Sequence, residues 1–164
     1  MNNNTSDSSI LIREATQQDL PEMLLLFQNT ITSVCKADYN NDQLEAWKSG
    51  AENKERWLNV IKDQYILIAE SENKMVGFCT LDQGNYIDLL FVHRDYQHQG
   101  IASLLYRLIE KEALQQQQNF LTADVSKTAK LFFESMGFTI IREQIVNVKG
   151  TDLINYKMQK ILLT

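Results

Sequence analysis

Tyr86-Ile-Asp-Leu-Leu-Phe-Val92 is followed by the polar bend His93-Arg-Asp-Tyr-Gln-His-Gln99 and then by Gly100-Ile-Ala-Ser-Leu-Leu-Tyr-Arg-Leu108. The first run is short, apolar, aromatic and β-branched, which suits a buried strand. The third opens a helix whose Ile101, Leu104, Leu105 and Leu108 fall on one face. Gly100 and Ala102 leave the backbone uncovered at the helix start, where several N–H groups have no intrahelical partner. Those donors and the positive end of the macrodipole suit a phosphate. An ordinary strand-to-helix connection fits the same residues. The Walker-type lysine and hydroxyl residue are absent, since Ile101 follows Gly100, and the dinucleotide glycine spacing stops at Ala102. An anion bound here is therefore held by backbone amides.

A length of 164 residues suits one domain with a proper core. Residues 1–9 are Asn/Ser-rich and read as a frayed tail, leaving 10–164 as the single domain. The net charge of −5, with no lysine- or arginine-rich stretch, argues against a nucleic-acid partner. No apolar run approaches membrane-spanning length and no basic-then-apolar leader opens the chain, so a cytoplasmic protein without membrane contact is expected. Cys35 and Cys79 form neither a metal spacing nor a disulfide framework and read as buried thiols. His93 and His98 bracket the bend without a third ligand, so no metal is expected.

Along the chain, Ile10 to Ile12 begins a first strand. Thr16 or Asp19 caps a helix with Pro21 in its first turn, lined by Leu24, Leu25, Phe27, Ile31 and Val34. Further helices are predicted from Asp42 through Trp47 and over about Lys54 to Ile61, with Trp47 and Trp57 as packing residues. Tyr65 to Ala69 and Met75 to Leu81 read as strands joined by a polar turn. The helix from Gly100 ends in the run Gln115–Gln118, taken as solvated. Phe120 to Asp124 is a strand, Thr128 to Met136 a helix closed by Gly137, and Phe138 to Val148 with Leu153 to Lys160 a final hairpin. This order implies a mixed sheet, with the strand ending at Val92 parallel to the one near Phe120. If those strands diverge, the Gly100 turn stands at the mouth of the split, where open α/β sheets bind ligands.

Gln97-His98-Gln99-Gly100-Ile101-Ala102 resembles the Gln/Arg-x-x-Gly-x-Gly/Ala signature of the GNAT superfamily of acyl-CoA-dependent N-acetyltransferases. Leu89 to Tyr96 is similar to that family's strand and lead-in, with Arg94 where proline often stands. Ala129-Lys-Leu-Phe-Phe-Glu-Ser-Met-Gly-Phe138 resembles its later helix-to-strand motif, and Ile12-Arg13-Glu14-Ala15 with Asp19 its usual opening. The resemblance runs from about Ile10 to Ile161. It implies an α/β (α+β) fold: a mixed, mostly antiparallel sheet of about seven strands, one central parallel β-α-β crossover and flanking helices.

The resemblance also implies roles. Amides from His98, Gln99, Gly100, Ile101, Ala102 and Ser103, with Gln97 before them, would hold the CoA pyrophosphate. The backbone of Leu90, Phe91 and Val92 would pair the pantetheine arm, with the Leu90 N–H polarising the thioester carbonyl. Ser126 stands where the family often has a CoA-contacting asparagine. Phe133 stands where it commonly has a tyrosine that protonates the departing thiolate, and Phe133 has no proton to give. Tyr156 is the leading substitute, with Tyr86 behind it. Asp88, two residues from Leu90 and so on its face of the strand, is the candidate proton acceptor, directly or through water. Tyr39, Gln43 and Trp47 fall in the region that usually walls the acceptor pocket.

The implied activity is direct transfer of acetyl from acetyl-CoA to a primary amine of a small molecule or protein, in a ternary complex and without a metal. The acidic balance favours a cationic acceptor such as a polyamine, aminoglycoside or lysine side chain. A non-catalytic acyl-CoA sensor is the rival reading, supported by Phe133. A nucleotide-binding α/β domain is disfavoured by the absent phosphate loops. A homodimer is left open.

Overall fold

The computed structural model describes residues 9–162, so the tail predicted over residues 1–9 lies outside the described residues except for Ser9. Seven strands form one sheet: β1 (Leu11–Glu14), β2 (Tyr65–Ser71), β3 (Lys74–Asp82), β4 (Tyr86–Val92), β5 (Phe120–Ser126), β6 (Thr139–Val148) and β7 (Thr151–Ile161). Their order is β1-β2-β3-β4-β5-β7-β6, antiparallel except for β4 with β5. The helices are α1 (Leu20–Val34), α2 (Asn41–Lys48), α3 (Lys54–Asp63), α4 (Ile101–Gln115) and α5 (Lys130–Ser135). The α/β fold and the single parallel crossover are those expected from sequence.

The middle of the sheet is covered on both faces, each with its own apolar cluster, while β6 is mostly exposed. On one face Leu67, Val76, Leu81 and Val92 pack with Leu105, Tyr106 and Ile109 of α4 and Phe133 of α5. On the other, Ile66, Ile68, Phe78 and Phe91 pack with Met23, Phe27, Leu44 and Trp57 of α1, α2 and α3. β2 and β3 are buried on both faces, which is why their apolar runs are continuous rather than alternating.

Three details differ from expectation. Leu104 is exposed, and α4 instead buries Ile101, Leu105, Ile109 and Ala113, the i, i+4 line, with Tyr106 beside it. Leu25 is exposed too; α1 turns Met23, Leu26, Phe27, Thr30 and Ile31 inward. The helix predicted over Thr128–Met136 is shorter, because turn residues precede Lys130. Gly137 follows it at φ +96°, the left-handed stop that suits glycine.

Candidate active site

β4 and β5 stay paired only at Tyr86 with Thr122 and at Ile87 with Ala123. Beyond Ile87 the two strands separate. On its other side β4 remains paired with β3 as far as Val92 opposite Gly77. The register slips at one point, because Leu81 pairs with Ile87 while Thr80 pairs with Leu89, leaving Asp88 as the extra residue of a bulge. The Leu89 amide donates to Thr80 Oγ1 (3.0 Å) inside the core. Further along, the His93 amide donates to the Val76 carbonyl (2.8 Å). Antiparallel alternation then points the N–H and C=O of Leu89 and Phe91 at β3, and those of Leu90 and Val92 into the split. The Val92 carbonyl accepts the side-chain amide of Gln97, which ties the bend to the strand end.

The bulge corrects one expectation. Simple alternation places Asp88 on the Leu90 face, but Leu90 packs with the α4 cluster while Asp88 turns toward α3. There Arg56 donates to both Asp88 oxygens (3.1 and 3.2 Å) and Gln64 donates to Oδ2 (2.8 Å). The carboxylate is clamped rather than free.

The bend delivers the chain to α4 through two left-handed residues, His98 (φ +58°) and Gly100 (φ +82°). Gly100 offers no side-chain cap, and no acidic residue stands in the first turn. The first helical bond runs from the Leu104 amide to the Gly100 carbonyl (3.0 Å), so the preceding amides have no partner within the helix. A Cβ placed on Gly100 meets no atom within 4 Å. The end of α4 is open, uncapped and positively polarised.

One cavity of about 830 Å³ joins this helix end to the split and to the α1–α3 face. It is lined by Leu90, Phe91, Val92, Gln97, His98, Gly100, Ile101, Ala102, Ser103, Ser126 and Phe133, so of the cofactor candidates only Gln99 stands off it. Gln99 instead donates to the Asp95 carbonyl (3.2 Å). The Ser126 hydroxyl accepts from the Ala129 amide (3.1 Å) and shapes the turn before α5.

The acceptor candidates divide. Trp47 and Tyr39 line the cavity with their rings edge-on, centroids 5.5 Å apart. The Tyr39 hydroxyl donates to the Ile154 carbonyl (2.6 Å) and accepts from the Lys127 amide (3.0 Å), so it ties the α1–α2 connection to the turn after β5 and to β7. Burial, with a smaller effect of nearby charges, pushes its pKa up to about 12. Gln43 does not line the cavity: its side chain caps α2 at Asn40 and holds the Asp152 carbonyl. Tyr156 does not line it either. It pairs with Val125, whose side chain joins the α4 cluster, and its ring lies under Lys130 of α5 at 5.0 Å.

The structure adds residues that sequence reasoning did not place in the site. Phe27, Trp57 and Arg56 line the acceptor side, as does Asp124 on β5. Asp124 accepts from the Tyr86 hydroxyl (2.8 Å) and from Gln144 (2.8 Å). Burial and that carboxylate hold the Tyr86 phenol well above its ordinary range, so it stays a hydrogen-bond donor. The alternation Leu121, Ala123, Val125 inward was the available signal that Asp124 faces the other way. Cys35 also reaches the cavity wall, its thiol pushed up to about 11 by burial. Among the described residues, no three His, Cys, Asp or Glu side chains gather as a metal group, and no helix is long and apolar enough to cross a membrane.

A split parallel pair with an open helix end at its mouth is the architecture of acyl-CoA-dependent acetyltransferases. The chain belongs to that family: the acetyltransferase (GNAT) domain model matches residues 35–160. Among curated proteins it is 30% identical over 152 residues to the uncharacterized N-acetyltransferase YafP of Escherichia coli, covering 93% of this chain and 96% of that one. The crystal structure of a GCN5-related N-acetyltransferase from Rhodopseudomonas palustris matches at 30% identity and a TM-score of 0.90, over 94% and 97% of the two chains. PaiA N-acetyltransferase of Thermoplasma acidophilum, solved with coenzyme A, shares the fold at 20% identity and a TM-score of 0.73, over 94% and 99%.

Proposed function

We propose that this domain moves an acetyl group from acetyl-CoA to a primary amine of a small molecule or protein, both substrates being bound together. The observation that carries this reading is the continuous cavity from the open end of α4, through the β4/β5 split, to the wall of α1, α2 and α3. CoA phosphates suit the amides from His98 to Ser103. Pantetheine suits the β4 edge beyond Ile87, where no strand is paired, adding as a short strand. The Leu90 N–H, aimed into the split, is placed for the thioester oxygen as negative charge develops on it.

The unprotonated amine attacks the thioester carbonyl carbon. A C–N bond forms and the C–S bond breaks. The nitrogen loses one proton to solvent, the thiolate gains one, and the products are the acetamide and CoA thiol. Asp88 is a positioning residue in this scheme, since Arg56 and Gln64 occupy both of its oxygens. Cys35 remains a thiol, which favours direct transfer over an acetylated enzyme.

The sensor reading has one supporting feature, the Phe133 ring on the cavity wall where a proton donor would serve catalysis. Thiol release from acetyl-CoA across an amine panel decides between the two. Amine-dependent release is expected. Retained CoA binding with no release for any amine would make the domain a sensor.

A further inference from the structure

We infer that Asp124 seats the single ammonium of the acceptor and that the aromatic wall of Phe27, Trp47 and Phe91 takes its body, so the substrate class is a ring-bearing monoamine rather than a polycation. The inference rests on the acetyl transfer proposed above. Two aspartates line the cavity. Asp88 is neutralised by the guanidinium of Arg56 at 3.1 Å. Among the described residues Asp124 has no cation within ion-pair distance; its donors are the neutral Tyr86 hydroxyl and Gln144 amide. Neutral donors orient a carboxylate without cancelling its charge, and lone pairs remain on both oxygens. One uncompensated carboxylate matches one cation: the amine enters as ammonium, gives one proton to solvent beside Asp124 before it attacks, and loses the second to solvent as the C–N bond forms.

Beside the Arg56 guanidinium, which Asp88 holds, the wall of that side is aromatic. Phe91 stands edge-on to Phe27, centroids 5.1 Å apart, and tilted to Trp47 at 6.3 Å. Trp47 is only half-buried, so its ring is the accessible member of the wall. Such surfaces take a ring edge-to-face or offset, and they leave the second and third cations of a polyamine unpaired.

The test is initial-rate thiol release at saturating acetyl-CoA with 2-phenylethylamine, n-hexylamine and spermidine, alongside calorimetric titration of 2-phenylethylamine into the CoA-loaded domain. Phenylethylamine is expected to exceed spermidine in kcat/KM by about tenfold or more, and Asp124→Asn to raise its KM by about tenfold with CoA affinity unchanged. Trp47→Leu should remove the advantage of phenylethylamine over hexylamine, and it decides the matter should Asp124→Asn fail to bind CoA. Equal or better turnover of spermidine, or an unchanged KM in Asp124→Asn, overturns the inference. If no amine is acetylated, the transfer reading falls on its own. Calorimetric binding of phenylethylamine that Asp124→Asn weakens would still uphold the inference, and absence of binding would overturn it.

Discussion

The Thr80 hydroxyl accepts the Leu89 amide proton at 3.0 Å, replacing a backbone partner where β3 and β4 slip by one residue. That bond fixes the bulge, and the bulge turns Asp88 toward α3 while Leu90 keeps its backbone aimed into the split. Thr80→Val preserves shape but leaves a buried N–H unpaired. We expect a loss of about 1–3 kcal/mol in urea unfolding. Turnover should fall further than this stability loss explains, because the Leu90 amide is no longer held in place. Unchanged kcat in the folded variant would show that the bulge serves packing alone.

Gly100 separates backbone strain from ligand exclusion. With φ at +82° and nothing within 4 Å of an added Cβ, Gly100→Ala meets only the left-handed penalty, about 1–2 kcal/mol. Gly100→Glu adds a carboxylate where phosphate is expected. Thermal-shift titration should show CoA stabilising the alanine variant and not the glutamate variant. Equal CoA affinity in parent and Gly100→Glu would remove the loop from the binding site.

Cys35 tests direct transfer. Its thiol lines the cavity, yet burial holds it near 11, so at neutral pH little thiolate exists to accept acetyl. Cys35→Ala should keep kcat within about threefold, a change worth less than 1 kcal/mol. Mass spectrometry of the parent with acetyl-CoA alone should show no acetylated protein. A stoichiometric acetyl adduct at Cys35 would replace the ternary complex with a two-step route.

Acid stability traces to the opening of the domain. Arg13 bridges Asp19 (2.7 Å) and Glu70 (2.7 Å), and Asp19 also accepts the Thr16 amide (2.7 Å). The Arg13 hydrogen bonds hold the Asp19 carboxyl below its ordinary 3.8, outweighing the opposing effect of burial. A carboxyl lowered on folding gives stability that is full above the unfolded value and is lost as pH falls through the folded one. Asp19→Asn should therefore cost stability at neutral pH, about 1–3 kcal/mol, and flatten the fall in Tm below about pH 4. Parallel Tm curves for parent and variant in that range would place the acid sensitivity elsewhere.

The strand, bend and helix from Tyr86 to Leu108 were legible because a short apolar, β-branched run gives way, across a polar bend and a glycine, to apolar residues spaced by three and four. Strand alternation failed at Asp88, because a bulge depends on Thr80 in the neighbouring strand and leaves no mark in β4 itself. Gln43 carried a local clue: Asn40-x-x-Gln43 is a capping pattern, and the capping bonds engage its side chain. Arg56, Gln64 and Asp124 acquire their roles from pairings 20 to 38 residues apart, which no local period encodes. Local chemistry announced the cofactor end of the site. The acceptor end is assembled from tertiary contacts.

Phe133 and Tyr156 decide how the departing thiolate is protonated. Both pack on the α4 face, but only Phe133 lines the cavity. Its ring is fixed edge-on against Phe132 at 5.5 Å and Phe138 at 5.1 Å. Tyr156 stands opposite Val125 on that same face but off the cavity, and Lys130 covers its ring at 5.0 Å. Tyr156→Phe keeps that ring and its cation–π contact, so kcat and CoA affinity should stay within about twofold of the parent. Phe133→Tyr puts a phenol on the cavity wall beside the split. If thiolate protonation limits turnover, the new donor should raise kcat several-fold, at the lower end of what a positioned acid supplies, with KM for acetyl-CoA unchanged. A tenfold fall in Tyr156→Phe would make that hydroxyl the acid, reaching the sulfur by a movement absent from this conformation. If neither variant changes kcat, solvent protonates a thiolate that is already a good leaving group, and Phe133 needs no substitute.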